Sequence, residues 1–382
     1  MLAHWRWLGV VAAVVVAVGF EAAPAAEAAK PARLLAVSVT AGFRHASIET
    51  AEPVLEELGR ESGLFHLDHL RMPPGRPPQP QAPKRADGVG DDDWKKQQDE
   101  FEAAQQQFRK DDAAWQAGVK EQFAKAFAPA GLAEFDGVIF LSTTGELPIP
   151  DIAAFLDWIK SGKAFIGFHA ATDTLKSSDA YIDMIGGSFA GHPWNGGGEH
   201  AFVVHEPGHR VAAMFPERFR WQDEIYQYDE RYKPENLRVL VSLDMQGSAP
   251  KEPWHVPVSW VRDYGKGRVF STNFGHNDAT WKEPMFRKHA LEGIAWALGR
   301  FDAAAAPNPD VQAAEYVRSV VAAAAAATGA NADELRARAD ARIAADPSWA
   351  ATVRPMLLEL RAMKPEARGE AYAKVIAELG KP

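Results

Sequence analysis

The stretch GFHAATD (167–173) follows directly after the apolar run KAFIGF and places a histidine where a strand would end. Many α/β enzymes carry a nucleophile at such a strand-to-helix turn. His169 is a poor nucleophile, but imidazole is a good acid, base or metal ligand near neutral pH. The sequence therefore predicts that His169 moves a proton, binds a metal or anchors a substrate.

Polar clusters also follow two other strand-like runs, at 40–47 and 273–278, and they occur in a glycine-rich loop and in one further segment. They lie in TAGFRHAS (40–47), AGHPWNGGGEH (190–200), WQDEIYQYD (221–229) and NFGHND (273–278). Because ligands bind beyond the carboxyl ends of strands in open α/β sheets, we expect these clusters to meet at one edge. The candidate catalytic residues are His169, Glu224, His276 and Asp278. The candidate substrate-binding residues are Arg44, His45, Asp173, His192, Trp194, Asp223 and Tyr226.

Each of these residues also has a structural explanation, since a single loop histidine is commonly a surface residue or a helix cap. The recurrence of a histidine with a carboxylate at separate strand ends favours a site. Trp194, Trp260 and Tyr226 would add flat faces on which a pyranose ring can stack. For Trp260, which lies inside a predicted strand, packing in the core is an equal alternative.

The same side chains allow a metal site. Five of them could supply a three-ligand set with an open position, as in zinc enzymes. They are His45, His169, His192, His276 and Glu224. No short ligand motif such as HExxH is present, so only the number of candidates supports a metal. The glycine run 196–198 lacks the Lys and Ser/Thr of a phosphate loop, which argues against a nucleotide.

Hydrophobic patterning predicts the elements that position these residues. Strands are expected at 33–40, 64–70, 135–143, 163–169, 200–206, 238–244, 255–264 and 268–275, and helices at 47–62, 149–162 and 282–299. Strands that alternate with helices predict an α/β fold with a mostly parallel sheet and helices on both faces.

Two segments depart from this alternation. The insertion 71–128 begins with a proline-rich stretch and continues from Asp91 as a polar helix. In that helix Trp94, Phe101, Phe108 and Trp115 recur every seven residues and line one face. We expect this face to pack on the domain or on a second copy of the chain, giving a homo-oligomer. The Ala-rich region 302–382 predicts a small helical appendage to the α/β domain at 33–301.

Composition limits the class of protein. The chain has 382 residues, a formal net charge of −9 and no cysteine, and it shows no basic stripe, which argues against a nucleic-acid partner.

Residues 1–28 have the layout of a signal peptide: Arg6, an apolar run of 13 residues (Leu8 to Phe20) and two A-x-A sites. No later segment resembles a membrane helix. We therefore expect a periplasmic or secreted protein without membrane contact after signal cleavage.

The motifs TAGFRHASI, LSTTGE, GFHAATDT, GHPW, DEIY and PVSWVRDYGKGRVFSTNFGHN, in this order over roughly residues 33–300, resemble the ThuA (trehalose utilisation) family. This resemblance implies a flavodoxin-like fold related to class I glutamine amidotransferases. It also implies a role in the use of trehalose and related disaccharides through 3-keto-sugar intermediates.

The comparison with the amidotransferases excludes one activity. Those enzymes carry a cysteine at the turn where this chain has His169, and a His-x-Glu pair where it has His276 and Asp278. Because the chain has no cysteine, glutamine hydrolysis through a thioester is excluded.

Three functions remain open. In the first, an exported enzyme acts on a sugar or oxidised disaccharide. His169 and Glu224 or Asp223 move protons, and Asp278 orients His276. There Arg44, His45 and His192 would hold hydroxyls or a keto oxygen. In the second, a divalent metal such as zinc occupies the same site. In the third, the protein is a carbohydrate-binding or scaffold subunit without catalysis.

Signal cleavage is expected to leave a mature chain that starts between Ala26 and Lys30, because cleavage after the two A-x-A sites would make Ala26 or Ala29 the first residue. N-terminal sequencing of exported protein checks this. An intact Met1 on exported material would contradict it.

Overall fold

The computed structural model describes residues 30–379, so the predicted signal peptide lies outside the described residues. The strands are β1 (Ala32–Val37), β2 (Phe65–Leu70), β3 (Gly137–Leu141), β4 (Ala164–Phe168), β5 (Glu199–Val204), β6 (Arg218–Gln222), β7 (Arg238–Leu243), β8 (Pro257–Tyr264) and β9 (Gly267–Thr272). The helices are α1 (Ile48–Ser62), α2 (Asp91–Ala126), α3 (Pro129–Leu132), α4 (Ile152–Lys160), α5 (Asp179–Ile185), α6 (Asp278–Lys282), α7 (Pro284–Ala297), α8 (Pro309–Thr328), α9 (Ala332–Ala345), α10 (Trp349–Ala362) and α11 (Gly369–Leu379).

In the described part of the chain the strands form one sheet in the order β2-β1-β3-β4-β9-β8-β7-β5-β6. Its first five strands are parallel, and β8, β7, β5 and β6 extend it in antiparallel fashion. Every residue of β3 and β4 is buried, as expected for central parallel strands covered on both faces. The predicted α/β fold with a parallel core is confirmed.

Helices cover both faces of this sheet. Side chains alternate along β1, so that Leu34 and Ala36 join the hydrophobic cluster of α1 and α7, whereas Leu35 and Val37 join that of α4 and α5. The helix expected at 282–299 is somewhat shorter, since α7 begins at Pro284, a residue that suits the first turn of a helix, and ends at Ala297.

The insertion forms the expected long helix. Residues 71–90 contain no helix or strand, and α2 then runs for 36 residues. Only Val119 and Phe123, near its end, are buried. Trp115 is half-buried and its Nε1 donates a hydrogen bond to the carbonyl of Pro73 at 3.1 Å. The remaining aromatic residues of the stripe are partly exposed, and their contact with a second copy stays a prediction.

Four helices, α8 to α11, form the C-terminal region. The alanine-rich face of α8 is buried in the same hydrophobic cluster as α1 and α7. Gln312 at its beginning donates hydrogen bonds of 2.9 Å to the carbonyls of Pro234 and Leu237. The tail therefore packs directly against the end of the segment that follows β6. None of the helices described is long and apolar enough to cross a membrane.

Alanine substitutions at two helical glycines are expected to change the stability of the protein in opposite directions. A Cβ at Gly293 of α7 would lie 2.2 Å from the ring of Phe270, whereas a Cβ at Gly118 of α2 would meet nothing within 4 Å. We expect Gly293→Ala to lower the free energy of unfolding by about 1–3 kcal/mol through overpacking. Gly118→Ala is expected to raise it by about 0.5–1 kcal/mol, because alanine is the better helix former. Urea denaturation measures both, and equal effects would contradict the packing of α7 on β9.

Candidate active site

Side chains from four segments meet beyond the carboxyl ends of the strands. His45 lies between β1 and α1, His169 follows β4, and His276 follows β9. Because β1, β4 and β9 are parallel, their carboxyl ends lie at the same edge. Glu224 reaches this edge from the segment after β6.

His169 is held in one orientation by the backbone. It is buried, and its Nδ1–H donates a hydrogen bond of 2.8 Å to the carbonyl of Asn273, which leaves Nε2 with its lone pair facing the cluster. Its φ of 47° is uncommon for a residue other than glycine, and such strain is concentrated at functional sites. Burial, with the neighbouring His45 and His276, lowers the pKa of His169 well below its usual value.

Glu224 is contacted by three histidines. One of its oxygens lies 3.1 Å from His276 Nδ1 and 3.7 Å from His169 Nε2, and the other lies 3.1 Å from His192 Nδ1. Burial alone lowers the pKa of His276, but the hydrogen bond and the charge of Glu224 outweigh it and raise this pKa. His192 has 55% of its side chain exposed, so the solvent reaches the carboxylate from this side.

His45 completes the cluster from the other side. Its Nε2 lies 3.3 Å from the hydroxyl of Tyr226, while its Nδ1 is buried without a hydrogen-bond partner. Burial, reinforced by His276, lowers the pKa of His45 to about 4. The ring packs edge-on against His169, with 4.7 Å between the ring centroids. At neutral pH His45 is therefore a neutral imidazole.

Asp223 supports the cluster and does not face it. Its buried carboxylate accepts hydrogen bonds from the backbone N–H groups of Gly275 (2.7 Å), Asn277 (2.9 Å) and Glu224 (3.1 Å). Burial raises the pKa of Asp223 to about 6, and these hydrogen bonds oppose the rise. The carboxylate thereby fixes the loop that carries His276 to the segment that carries Glu224.

Four of the predicted residues form one constellation. Each of them contributes one ligand atom, and all four atoms lie within 4.8 Å of one another. The residues are His45, His169, Glu224 and His276. Three imidazole nitrogens with one carboxylate oxygen form a donor set that suits a divalent transition metal, and it also suits proton transfer.

Other predicted residues lie outside this constellation. Arg44 donates to the carbonyl of Ser38 and to Glu49, and Asp173 pairs with Lys176. Burial raises the pKa of Asp173, and Lys176 opposes the rise.

Neither predicted tryptophan offers a face to a sugar. Trp194 and Trp260 are fully buried, and Trp260 Nε1 donates to the carbonyl of Ile185. Both rings are core residues. The exposed aromatic side chain beside the cluster is Phe43, which is 70% exposed and whose ring lies 4.9 Å from that of His45.

The pairing expected between Asp278 and His276 is not observed. Asp278 is exposed in the first turn of α6, and Glu224 contacts His276 instead.

Asn273 is a residue that the sequence pattern did not single out. It is buried, its carbonyl accepts from His169, and its Oδ1 accepts from the backbone N–H of Tyr226 at 2.9 Å. The one signal for it is a polar amide directly after the core strand β9. A buried amide at a strand end has to find partners, and here those partners are site residues.

Asp223 and Asp278 form a matched pair for mutation. Asp223→Asn is expected to lower the free energy of unfolding by about 1–3 kcal/mol, because its amide group would face a backbone N–H donor. Asp278→Asn, on an exposed side chain, is expected to change it by no more than about 0.5 kcal/mol. Urea denaturation measures both, and a larger loss in Asp278→Asn would contradict the assignment.

Comparisons with known proteins agree with this fold. A sequence model of the ThuA family, described as trehalose utilisation, matches residues 88–297. No curated protein matches the chain.

Two solved structures are similar to it. A protein described as ThuA-like from Bacteroides uniformis is 19% identical, with a TM-score of 0.50, and the match covers 75% of this chain and 99% of that one. One from Parabacteroides merdae is 16% identical, with a TM-score of 0.47, over 74% and 99% of the two chains. At 19% identity the likeness to the Bacteroides uniformis protein concerns the fold alone. The family match covers more than half of the chain and confirms the resemblance in the sequence motifs: this protein belongs to the ThuA family, which is related to trehalose utilisation.

Proposed function

We propose that this protein is an exported enzyme that acts on trehalose or a related disaccharide in its 3-keto form, using a divalent metal of the zinc class. One observation carries the proposal: single ligand atoms of His45, His169, Glu224 and His276 converge within 4.8 Å. The substrate class rests on the family's relation to trehalose utilisation. Export rests on the layout of residues 1–28.

The distances within the cluster support a metal. His169 Nε2 and His276 Nδ1 lie 3.2 Å apart, and His276 Nδ1 lies 3.1 Å from Glu224. In a tetrahedral zinc site with bonds of about 2.0–2.1 Å, neighbouring ligand atoms are separated by roughly 3.3 Å. These two separations therefore match the edges of such a site, whereas His169 Nε2 and Glu224 lie 3.7 Å apart and the four ligand atoms lie within 4.8 Å of one another.

The surroundings of the cluster support the same conclusion. Metal-binding histidines commonly donate their second N–H to a carbonyl, as His169 does to Asn273. Ligand imidazoles have to be neutral, and burial keeps His45 and His169 in this form. A single carboxylate keeps the charge of the donor set low, which leaves a bound divalent cation electrophilic.

Side chains outside the four-residue set would transfer protons and contact the sugar beside a bound metal. A divalent cation held by His45, His169, Glu224 and His276 would supply Lewis-acid chemistry toward a keto oxygen of the substrate. His192 lies outside the four-residue set, contacts the second oxygen of Glu224 and is half-exposed. It can exchange a proton with the solvent, so we assign it the role of general acid or base. Phe43, exposed beside His45, offers an apolar face to the sugar ring.

A second candidate needs no metal, and the contact between His276 and Glu224 favours it. The raised pKa of His276 makes it a proton donor, while the neutral Nε2 of His169, 3.2 Å away, is a proton acceptor. His276, whose proton Glu224 stabilises, would then act as the acid and His169 as the base on the same 3-keto sugar.

Metal content separates the two candidates. Wild-type protein dialysed against Zn²⁺ is expected to retain about one equivalent, measured by elemental analysis, since four donors converge on one point. His45→Ala and His169→Ala are expected to retain far less. Co²⁺ substitution provides a second readout through its visible absorption. His192→Ala is the matched control, because its side chain lies outside the set: it should keep the metal and lose about 10²-fold or more in turnover of a 3-keto disaccharide.

Three results would change the assignment. The acid–base candidate is supported if turnover survives in protein from which a chelator has removed all metal. Turnover should then fall by about 10²-fold in His169→Asn and in Glu224→Gln. Equal zinc content in wild type and His169→Ala contradicts the four-residue site. Sugar binding without any turnover, with or without metal, would make the protein a binding module.

A further inference from the structure

A cavity of about 490 Å³ lies between the C-terminal helices and the segment that follows Tyr228. Tyr232 and Pro234 line it from that segment, and Tyr316 lines it from α8. Arg354 and Arg361 line it from α10. Its volume falls within the range of small-molecule sites, and its lining includes none of the four cluster residues.

The two arginines give the cavity a positive lining. Arg361 donates a hydrogen bond to the carbonyl of Tyr228 and lies 4.9 Å from the ring centroid of Trp254, so its position is fixed. Arg354 is partly buried and, among the residues that the structure describes, forms no ion pair. The one carboxylate in the lining, Glu230, is exposed. The charge of Arg354 therefore lacks a protein partner beside a concave surface.

A buried hydrogen-bond donor points to a ligand independently of this charge. Tyr316 is 5% exposed, and its hydroxyl is buried without a partner. Burial raises the pKa of Tyr316 to about 12, and Arg361 and Arg354 oppose the rise, so the hydroxyl keeps its proton. Two other polar groups that line the cavity do have hydrogen-bond partners. The hydroxyl of Tyr232 donates to Gln312, and His255 forms a hydrogen bond of 2.7 Å with Ser242 Oγ. Buried polar groups without partners are rare in native proteins.

We propose that this cavity is a second ligand site, which binds a small anion of sugar size through a carboxylate or phosphate group. Arg354 pairs with the anionic group, because guanidinium matches both carboxylate and phosphate geometry. Tyr316 donates its free hydroxyl to the same ligand. The apolar parts of Tyr232, Pro234 and Leu358 contact the remainder of the molecule.

Calorimetry on the full chain tests the site with three probes: glucuronate, glucose 6-phosphate and glucose. We expect at least one of the two anions to bind, and at least ten-fold more tightly than neutral glucose, because only the anions can pair with Arg354. The anion that binds more tightly shows whether the site prefers a carboxylate or a phosphate group. Arg354→Met keeps much of the side-chain volume and should weaken that anion at least ten-fold. Tyr316→Phe, which removes only the hydroxyl, should weaken it several-fold.

Arg338→Met is the matched control, since this exposed arginine of α9 pairs with Glu334 away from the cavity. It should leave affinity unchanged. Thermal unfolding checks that each variant is folded. If Arg354→Met does not fold, the affinity of Tyr316→Phe tests the site. Any of three results would overturn the proposal: glucose that binds as tightly as the anions, no binding of either anion, or unchanged affinity in the folded cavity variants. None of these results depends on the catalytic activity of the protein.

Discussion

The buried carboxylate of Asp223 is the contact on which the candidate site depends. It binds backbone N–H groups on both sides of the gap between the segment after β6 and the loop after β9. Asn273 completes the connection, because it contacts His169 with its carbonyl and Tyr226 with its side chain. Two buried polar residues thus join three separate parts of the chain. A buried carboxylate without such partners would be costly, so the carboxylate and the two segments that it joins stabilise one another.

The sheet determines which residues can take part. Parallel pairing of β1, β3, β4 and β9 brings distant stretches of sequence to one edge, and each loop then adds one histidine. The antiparallel strands beyond β9 place the segment that carries Glu224 opposite them. A cysteine at the position of His169 would make a nucleophile at this edge. A histidine there, surrounded by two others, makes a group of neutral nitrogen donors instead.

Patterning of the sequence was sufficient to predict the parallel core, because central strands are continuous apolar runs and their ends carry polar residues. It indicated His45, His169 and His276 for the same reason. Glu224 follows the edge strand β6, which the patterning did not predict, and it was indicated only by the polar residues around it. It could not show that the ring of Trp194 is buried, since this depends on contacts between segments distant in sequence. It also did not predict that Arg44 pairs with Glu49 in the first turn of α1. It also favoured Asp278 over Glu224 as the partner of His276. Proximity along the chain is a poor guide where a turn directs neighbouring side chains apart.

The hydrogen bond from Arg361 to the carbonyl of Tyr228 joins residues 133 positions apart, and it has a consequence for the timing of folding. Tyr228 lies on the same segment as Glu224 and Tyr226. During synthesis from the N-terminus, the segments that carry His45 and His169 emerge well before α10. The segment with Glu224 gains its final support only when nearly the whole chain has emerged. This contact of the segment that carries Glu224 therefore forms late, after the residues that contribute the three histidines have all been synthesised.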